Sequence, residues 1–218
     1  MASRRRVPSA TFDEATAVLD EPDWRHFEQP ELSPILRGAL DAFYKNGFRG
    51  TTVRDISQRV GVTMPTLYYH HGNKEGIFTA LLECGTKDVL ARAYAARDDG
   101  GNDPARKLAN VVESMILRTL AFPRLVTLEA DVRYLSPPNR DRFETVRTEV
   151  EGVVRGIIRE GNRRALFSAS DPIVTARALL AMCDALQCWY DECPLKPHAV
   201  ARKYGAIALK TVGFRAGT

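Results

Sequence analysis

The sequence predicts an all-α protein of about nine helices, and three observations support this class. Apolar residues recur at intervals of three and four along most of the 218 residues, the spacing of a helix with one buried face. No segment alternates apolar and polar residues with the period of two that a half-buried strand requires. Helix caps and breakers, such as Asn46-Gly47 and Pro137-Pro138, separate the periodic stretches.

The first four predicted helices begin and end at recognisable signals. The first ends at Asn46-Gly47, where glycine supplies a C-terminal stop. Thr52, Thr63 and Asn73 are N-cap residues for the next three, since their side chains can accept the free N–H groups of a first turn. We expect the fourth helix to continue unbroken to the Gly-rich stretch at 98–102. The four helices span about residues 33–46, 53–60, 64–70 and 73–98.

Five further helices follow the same logic. Asp171-Pro172 combines an N-cap with proline at the first helical position. The helix after it is apolar on almost every side, so we expect it to be buried on several sides. The approximate spans are 108–119, 125–135, 143–157, 174–189 and 197–213.

An N-terminal extension precedes the first helix. Between positions 13 and 31 it holds seven acidic residues and one arginine, Arg25, while Arg4, Arg5 and Arg6 lie ahead of them. Thr11-Phe12-Asp13-Glu14 fits a capping box, which would begin a short helix over residues 11–19. Two interpretations remain open: a disordered, solvated tail, or one short helix that packs on the body while the arginines reach a DNA groove.

Composition and motifs exclude several classes of protein. The hydrophobic fraction of 44% and charged fraction of 27% are those of a soluble globular protein, and the formal net charge is only +4. No apolar run of about 18 residues predicts a membrane span, and no apolar core follows the N-terminal arginines as in a signal peptide, so we expect a cytoplasmic protein. The four cysteines, which lack CxxC spacing, are expected to be reduced thiols.

The pair His70-His71 does not predict a metal site, because adjacent helical residues diverge by about 100°. The sequence contains no metal-ligand spacing, nucleophile motif or phosphate-binding Gly-rich loop. We therefore expect neither a metal nor a cofactor, and no enzymatic activity.

The stretch from Ser33 to Lys74 predicts a nucleic-acid-binding unit. Its second and third helices are joined by Gly61-Val62-Thr63, the arrangement of a helix-turn-helix. In that motif the second helix of the pair enters the DNA major groove with its N-terminal residues at base edges. Six Lys/Arg against two Asp/Glu in this stretch suit a polyanion, although the whole chain is nearly balanced.

The sequence TTVRDISQRVGVTMPTLYYHHGNKEGIFTALL, within the stretch from Ser33 to Leu82, resembles the DNA-binding domain of TetR-family transcriptional regulators. Two positions depart from the usual pattern of that family. His71 stands where phenylalanine is commonest, and Ser57 replaces the usual alanine. The matching residues are Thr52, Arg54, Ile56, Gly61, Val62, Leu67, Tyr68, His70, Lys74 and Glu75.

The resemblance implies a role for each exposed residue of this unit. Thr52 and Thr63 cap their helices and offer backbone N–H groups to phosphate. Phosphate contacts are also expected from the side chains of Arg49, Tyr68, Tyr69, His70 and Lys74. Base contacts are expected from Arg54, which suits guanine, and from Met64, Pro65 and Thr66, which suit thymine methyl groups.

The same resemblance implies three regions. Residues 1–32 are the N-terminal extension, 33–82 the helix-turn-helix DNA-binding domain, and 83–218 a helical domain for effector binding and dimerisation. The last two helices are expected to form a homodimer, which would place two recognition helices on the half-sites of a palindromic double-stranded DNA operator. The expected function is a ligand-responsive transcriptional regulator, most often a repressor in this family.

The effector is expected to be a small hydrophobic molecule. Glu129 and Arg133 lie four residues apart, either as a surface ion pair or as the polar anchor of an apolar pocket. The segments RYLSPPNRDRFETVR and CWYDECPLKPHAVARKY are similar to repressors of sterol or acyl-CoA catabolism, which implies a CoA thioester whose phosphates would meet Arg140, Arg142 and Arg147. Another hydrophobic metabolite remains an alternative. The expected ligand-binding residues are Met115, Phe122, Glu129, Arg133, Tyr134, Arg147 and Trp189.

Two other classes of function stay open at this point. One is a helical enzyme, which none of the motifs favours. The other is a helical sensor that has lost DNA binding and acts through protein contacts.

Overall fold

The computed structural model describes residues 22–215, and within them all regular secondary structure is helical, which confirms the predicted class. Three 3₁₀ segments, Glu129–Tyr134, Ala185–Cys188 and Tyr190–Glu192, supplement the α-helices. The α-helices are α1 (Pro34–Gly50), α2 (Val53–Val60), α3 (Met64–His71), α4 (Lys74–Thr86), α5 (Val89–Asp99), α6 (Pro104–Ala121), α7 (Pro123–Leu128), α8 (Pro137–Arg163), α9 (Pro172–Asp184) and α10 (Pro197–Thr211).

The described residues form ten α-helices because the predicted fourth helix is divided in two. Asp88 adopts a left-handed conformation with φ 62°, which ends α4 and redirects the chain into α5. The physical reason lies in the packing: Phe78 and Leu81 of α4 belong to one hydrophobic core, whereas Ala93 and Ala96 of α5 belong to another. Both halves have helical periodicity, so the sequence pattern did not reveal the break.

Two hydrophobic cores organise the molecule, and we name them the head core and the body core. The head core lies among α1–α4 and contains the rings of Phe43, Phe48 and Phe78, with Phe78 5.0 Å from Phe43 and 4.9 Å from Phe48 between centroids. It also takes in Leu125 and Leu128 of α7. The body core lies among α5, α6 and α8–α10. The head core is therefore completed by residues from beyond the helix-turn-helix.

The predicted stop at Asn46-Gly47 is a kink within α1. Gly47 has φ 69°, a conformation that glycine adopts without steric cost, and the helix resumes for one turn to Gly50. The kink frees the N–H of Phe48, which donates to the Asp131 carboxylate at 2.7 Å. The hydroxyl of Thr51 donates to the carbonyl of Gly47 at 2.8 Å and fixes the turn. A residue far along the chain thus holds the end of α1.

Residues 22–32 form an N-terminal strap that packs on the body without becoming a helix. Trp24 is only 4% exposed in the body core, and the ring of Phe27 meets that of Phe122 edge-on at 5.9 Å. The Arg92 guanidinium donates to the carbonyls of Asp23 and His26. The solvated-tail interpretation is therefore wrong for this part of the extension. The predicted helix over 11–19 and the arginines at positions 4–6 lie outside the described residues.

The segment predicted as one helix over 174–189 ends earlier and is less enclosed than expected. α9 stops at Asp184, and 3₁₀ turns continue the chain. One side of α9 packs into the body core through Ala176, Leu179 and Cys183. The opposite side is open to solvent, with Val174 61% exposed. The apolar residues on that open side lack a partner within the described part of a single chain.

Substitution of Trp24 by alanine tests whether the strap is part of the folded body. We expect it to lower the free energy of unfolding by about 3 kcal/mol, because a large buried aromatic side chain is lost. Glu28→Ala, an exposed change in the same strap, should stay within about 0.5 kcal/mol of the parent chain. Urea unfolding followed by circular dichroism measures both, and equal stabilities for the two variants would contradict the docked strap.

Candidate nucleic-acid interface and ligand cavity

The turn between α2 and α3 is built by capping on both sides. At the start of α2, the Thr52 hydroxyl accepts the N–H of Asp55 at 3.1 Å, and the Asp55 carboxylate accepts the N–H of Thr52 at 2.8 Å. The hydrogen bond from the Thr52 hydroxyl lowers the pKa of Asp55, so the carboxylate of this capping box stays ionised. At the end of α2, Gly61 takes φ 75°, and the chain turns without strain. The predicted helix-turn-helix geometry is present.

Helix α3 has one buried anchor and an otherwise open surface. The Thr63 hydroxyl caps it and lies 2.9 Å from the Thr66 hydroxyl, while Leu67 is 1% exposed in the head core. Tyr69 is 87% exposed, an unusual state for so large an apolar side chain. Tyr68 is also exposed, at 45%. The exposed rings and the capped N-terminus suit contact with a polyanionic partner.

The remaining predicted base-contact residues lie at the same surface. Arg54 and Pro65 are exposed, and Met64 is partly exposed at the first position of α3. His70 is exposed beside Tyr69, with 5.2 Å between ring centroids. His71 is only partly exposed, and its pKa is lowered by burial and by the neighbouring His70.

Two of the predicted phosphate contacts already have partners within the chain. The Lys74 ammonium donates to the carbonyls of Phe48 at 2.8 Å and Thr51 at 2.9 Å, and burial lowers its pKa. It therefore holds the start of α4 against the end of α1, and its DNA contact stays a prediction. The guanidinium carbon of Arg49 lies 5.5 Å from the ring centroid of Tyr134, so this exposed arginine also faces the 3₁₀ segment.

Glu75, next to Lys74, joins the head to α8. Its carboxylate accepts the Ser136 N–H at 2.8 Å and the Asn139 side-chain N–H at 2.7 Å, as well as the Ser136 hydroxyl. These bonds, led by the Ser136 hydroxyl, lower the pKa of Glu75. The adjacent pair Lys74-Glu75 thus fixes α4 to α1 on one side and to the N-terminus of α8 on the other.

A small cavity lies in the body where α4, α6, α8 and α9 meet. Its volume is about 60 Å³, and three of the predicted ligand-binding residues, Met115, Glu129 and Arg147, line it. The other lining residues are Thr86, Val89, Arg118, Phe143, Val146, Val150, Leu180 and Asp184.

An open groove of about 440 Å³ continues outward from the cavity and shares Glu129, Phe143 and Arg147 with it. Arg133, a fourth predicted ligand-binding residue, lines this groove together with Arg140. Three guanidinium groups, those of Arg133, Arg140 and Arg147, therefore border the groove together with the carboxylates of Glu129 and Glu144, whereas the cavity behind it is mostly apolar.

The other three predicted ligand-binding residues line neither space. Phe122 packs against Phe27 of the strap, Tyr134 lies beneath the guanidinium groups of Arg49 and Arg133, and Trp189 stacks on Tyr204. For Tyr134 and Trp189 this follows from the 3₁₀ geometry of Glu129–Tyr134 and from the early end of α9, whereas Phe122 lies at the end of α6. In a 3₁₀ segment residues three apart share a face, so the predicted i,i+4 pairing of Glu129 with Arg133 does not form.

Sequence reasoning missed two charged residues of the cavity, Arg118 and Asp184. Arg118, 6% exposed, donates two N–H groups to the Gly85 carbonyl at 3.1 and 3.0 Å and forms an ion pair with Glu129. Burial raises the pKa of Asp184 to about 6, with a further contribution from Glu129, while Arg118 and Arg147 oppose it. Each residue is the single charge within an otherwise apolar helical stretch. This interruption of an apolar stretch by one charge would have identified both as candidate cavity residues.

Two other kinds of feature are absent from residues 22–215. No helix in this range combines the length and hydropathy that crossing a bilayer requires. No three His, Cys, Asp or Glu side chains in it converge as ligands of a metal ion.

Comparison with protein families gives two matches along the chain. Residues 35–81 match the family described as bacterial regulatory proteins, tetR family, and residues 101–212 match the tetracyclin repressor-like C-terminal domain. The HTH-type transcriptional regulator TtgR of Pseudomonas putida is 40% identical over 73 residues, which are 33% of this chain. The aligned stretch spans 35% of the length of that regulator.

Solved structures resemble the fold of this chain over more than four fifths of its length. A bacterial regulatory protein of the tetR family from Rhodococcus RHA1 has a TM-score of 0.77 at 23% identity, over 84% of this chain and 97% of its own. AibR, solved in complex with isovaleryl coenzyme A and operator DNA, has a TM-score of 0.70 at 18% identity, over 83% of this chain and 97% of its own. At these identities the likeness concerns the fold.

Replacement of Asp184 by asparagine tests the burial of its carboxylate. Because the pKa is raised from 3.8 to about 6, the folded state favours the protonated acid, and the free energy of folding becomes less favourable as the pH rises from 4 to 6. Asp184→Asn should therefore be more stable than the parent chain at pH 7, by at most about 3 kcal/mol, and its advantage should vanish near pH 4. Urea unfolding at both pH values measures this, and an advantage that grows on acidification would refute the assignment.

Proposed function

Because the chain belongs to the TetR family of DNA-binding transcriptional regulators rather than to a family of enzymes, we propose that it is a homodimeric repressor. In this proposal it binds a palindromic operator and dissociates when a small effector occupies the body. The observation that carries the proposal is the surface of α3, which buries one leucine and exposes Tyr68, Tyr69 and His70 beside a capped turn.

We assign α3 to the major groove. The N-terminal residues Met64, Pro65 and Thr66 would face base edges, with Arg54 of α2 beside them, because helix-turn-helix proteins present this end of the second helix. The hydroxyl of Thr66 lies within hydrogen-bonding distance of Thr63, which leaves its methyl group for an apolar contact with thymine. Phosphate contacts are assigned to the backbone N–H groups after Thr52 and Thr63 and to the side chains of Arg49, Tyr68, Tyr69, His70 and Lys74.

The proposed regions of the chain are defined by their functions, and their boundaries differ from those of the two hydrophobic cores. Residues 33–82 carry the DNA-binding unit, residues 83–218 the effector and dimer surfaces, and residues 1–32 the extension. The boundary at 82 falls inside α4, and α7 packs into the head core. The helix α4 therefore belongs to both units, which suits a role in transmission.

The proposed dimer interface is the open side of α9 and α10. Val174, Ala178, Ala181 and Ala185 recur at helical spacing and are all exposed, and Ile207 of α10 is 43% exposed. Small and branched apolar side chains in such a stripe allow two helices to approach closely. A two-fold axis through this face would present two α3 helices to half-sites about 34 Å apart.

The proposed effector site is the cavity together with its groove. Mostly apolar side chains line the inner space, and the three arginines at the outer one outnumber its two glutamates, Glu129 and Glu144, so the site suits an amphiphile with an anionic head. An acyl-CoA thioester has this character, and AibR was solved with isovaleryl coenzyme A. We therefore propose an acyl-CoA thioester or a similar organic anion as the effector.

The effector signal is proposed to reach the DNA-binding unit through two contacts. Arg118, at the cavity, binds the Gly85 carbonyl near the end of α4 and pairs with Glu129. Glu129 begins the 3₁₀ segment whose Asp131 accepts the Phe48 N–H at the kink of α1. An effector that binds better when Arg118 is displaced would shift both contacts and thus the separation of the two α3 helices.

Operator binding measured against salt concentration tests the DNA assignment, with the upstream DNA of the chain's own gene and random DNA as ligands. Tyr68→Phe should weaken binding to both DNAs by about tenfold, because a hydrogen bond to a charged phosphate is lost. Arg54→Ala should weaken operator binding by about 1–3 kcal/mol and relax selectivity at particular bases.

Arg106→Ala is the matched control, since Arg106 is an exposed arginine on α6, in the body. It should leave both affinities nearly unchanged. Equal losses on operator and random DNA for Arg54→Ala would contradict its base contact. The absence of salt-sensitive, sequence-selective binding by the parent chain would refute the proposed function.

Val174→Asp tests the dimer face. An aspartate buried at an apolar interface without a partner should cost at least about 3 kcal/mol, which corresponds to roughly a hundredfold weaker dimer. Ala91→Asp places the same charge at an exposed position of α5 and should leave the dimer intact. Sedimentation velocity over a range of concentrations measures both, and an unchanged dimer in Val174→Asp would exclude this face.

A further inference from the structure

We infer that the part of the effector entering the cavity carries a neutral hydrogen-bond donor, such as a hydroxyl group, which the Asp184 carboxylate accepts. This inference rests on the proposed role of the cavity as the effector site and narrows the chemical class of the effector. Asp184, on this assignment, is the residue that determines specificity for the group at the buried end.

The first support is the difference between the two carboxylates that line the cavity. Glu129 is paired with the Arg118 guanidinium. Asp184 lines the same space, and within residues 22–215 no side chain or backbone N–H donates a hydrogen bond to its carboxylate, whose oxygens remain accessible to solvent. A partly buried carboxylate without a protein donor depends on water for its hydrogen bonds. A ligand that fills the cavity displaces this water, and a donor on the ligand would replace the hydrogen bonds that the carboxylate loses.

The charges around the cavity decide between a neutral donor and a cation. Two guanidinium groups, those of Arg118 and Arg147, line the space together with the two carboxylates of Glu129 and Asp184. The four formal charges sum to zero when Asp184 is ionised, so an ammonium group would add an uncompensated charge to a largely apolar site. A hydroxyl or amide N–H supplies the donor without that cost.

The volumes of the cavity and the groove indicate that this donor lies at the end of a short substituent of the effector. The cavity holds about 60 Å³, well below the roughly 150 Å³ of an apolar cavity that takes up benzene. The groove outside holds about 440 Å³ and carries the arginines. A chain of a few heavy atoms can therefore enter the cavity and reach Asp184, while an anionic body stays in the groove.

The test uses small probes rather than the unidentified effector. Propan-1-ol and 1-fluoropropane have nearly the same size, but only the alcohol donates a hydrogen bond. With ¹³C-methyl methionine in the full chain, the methyl resonance of Met115, which lines the cavity, reports binding of each probe in a titration at neutral pH. We expect the alcohol to bind about tenfold more tightly, the ratio for a hydrogen bond to a charged acceptor.

Substitutions of Asp184 then identify the acceptor. Asp184→Leu should abolish the preference for the alcohol, and Asp184→Asn, which keeps the size of the side chain, should reduce it severalfold. Asp191→Asn removes a charge from an exposed residue outside the cavity and should leave the tenfold ratio unchanged. Circular dichroism melts of each variant establish that it is folded before the titration.

Three results would overturn the inference. They are equal affinities of the parent chain for both probes, a preference that persists in both Asp184 variants, and a Met115 resonance that neither probe perturbs. The titration contains no DNA, so these outcomes refute the donor assignment even where operator binding is intact. Conversely, a chain that fails to bind its operator refutes the proposed function even where the alcohol is preferred.

Discussion

The hydrogen bonds and the ion pair of the buried Arg118 guanidinium join the two halves of the molecule. The guanidinium satisfies the Gly85 carbonyl near the end of α4 and neutralises Glu129 at the start of the 3₁₀ segment. Loss of one partner of a buried ion pair leaves an uncompensated charge and costs several kcal/mol, so this junction has few alternative arrangements. Because Arg118 lies beside the cavity and its bonds have few alternative arrangements, this junction suits a change between two discrete states, which allosteric transmission requires.

Around that junction the head is held by contacts from residues distant in sequence. The Asp131 carboxylate accepts the Phe48 N–H that the kink of α1 frees, and the Glu75 carboxylate accepts the Ser136 N–H at the N-terminus of α8. The Lys74 ammonium donates to the carbonyls of Phe48 and Thr51, between α1 and α2. Each bond joins a helix terminus to a charged side chain, where the backbone leaves groups unsatisfied. The orientation of α3 therefore depends on these hydrogen bonds at helix ends. The single buried side chain of α3, Leu67, fixes only how deeply the helix sits in the head core.

Sequence reasoning identified the helical class, the turn at Gly61 and the capping threonines because these depend on local residues. It also found Met115, Glu129 and Arg147 of the cavity. What it missed depends on tertiary packing. The break at Asp88 arises where the chain leaves one core for the other, and the docking of Trp24 needs the body core, which forms only when helices distant in sequence pack together. Arg118 and Asp184 were overlooked because apolar periodicity, rather than the charge that interrupts it, was the criterion.

The contribution of α7 to the head core has a consequence for how the molecule unfolds. Leu125 and Leu128 pack among the side chains of α1 and α4, so a severed head would leave that apolar surface in water. The head is then not an autonomous folding unit, and head and body should lose their structure in a single cooperative transition. Free energy supplied by a ligand deep in the body would consequently raise the melting temperature of α3 as well, although the two never touch.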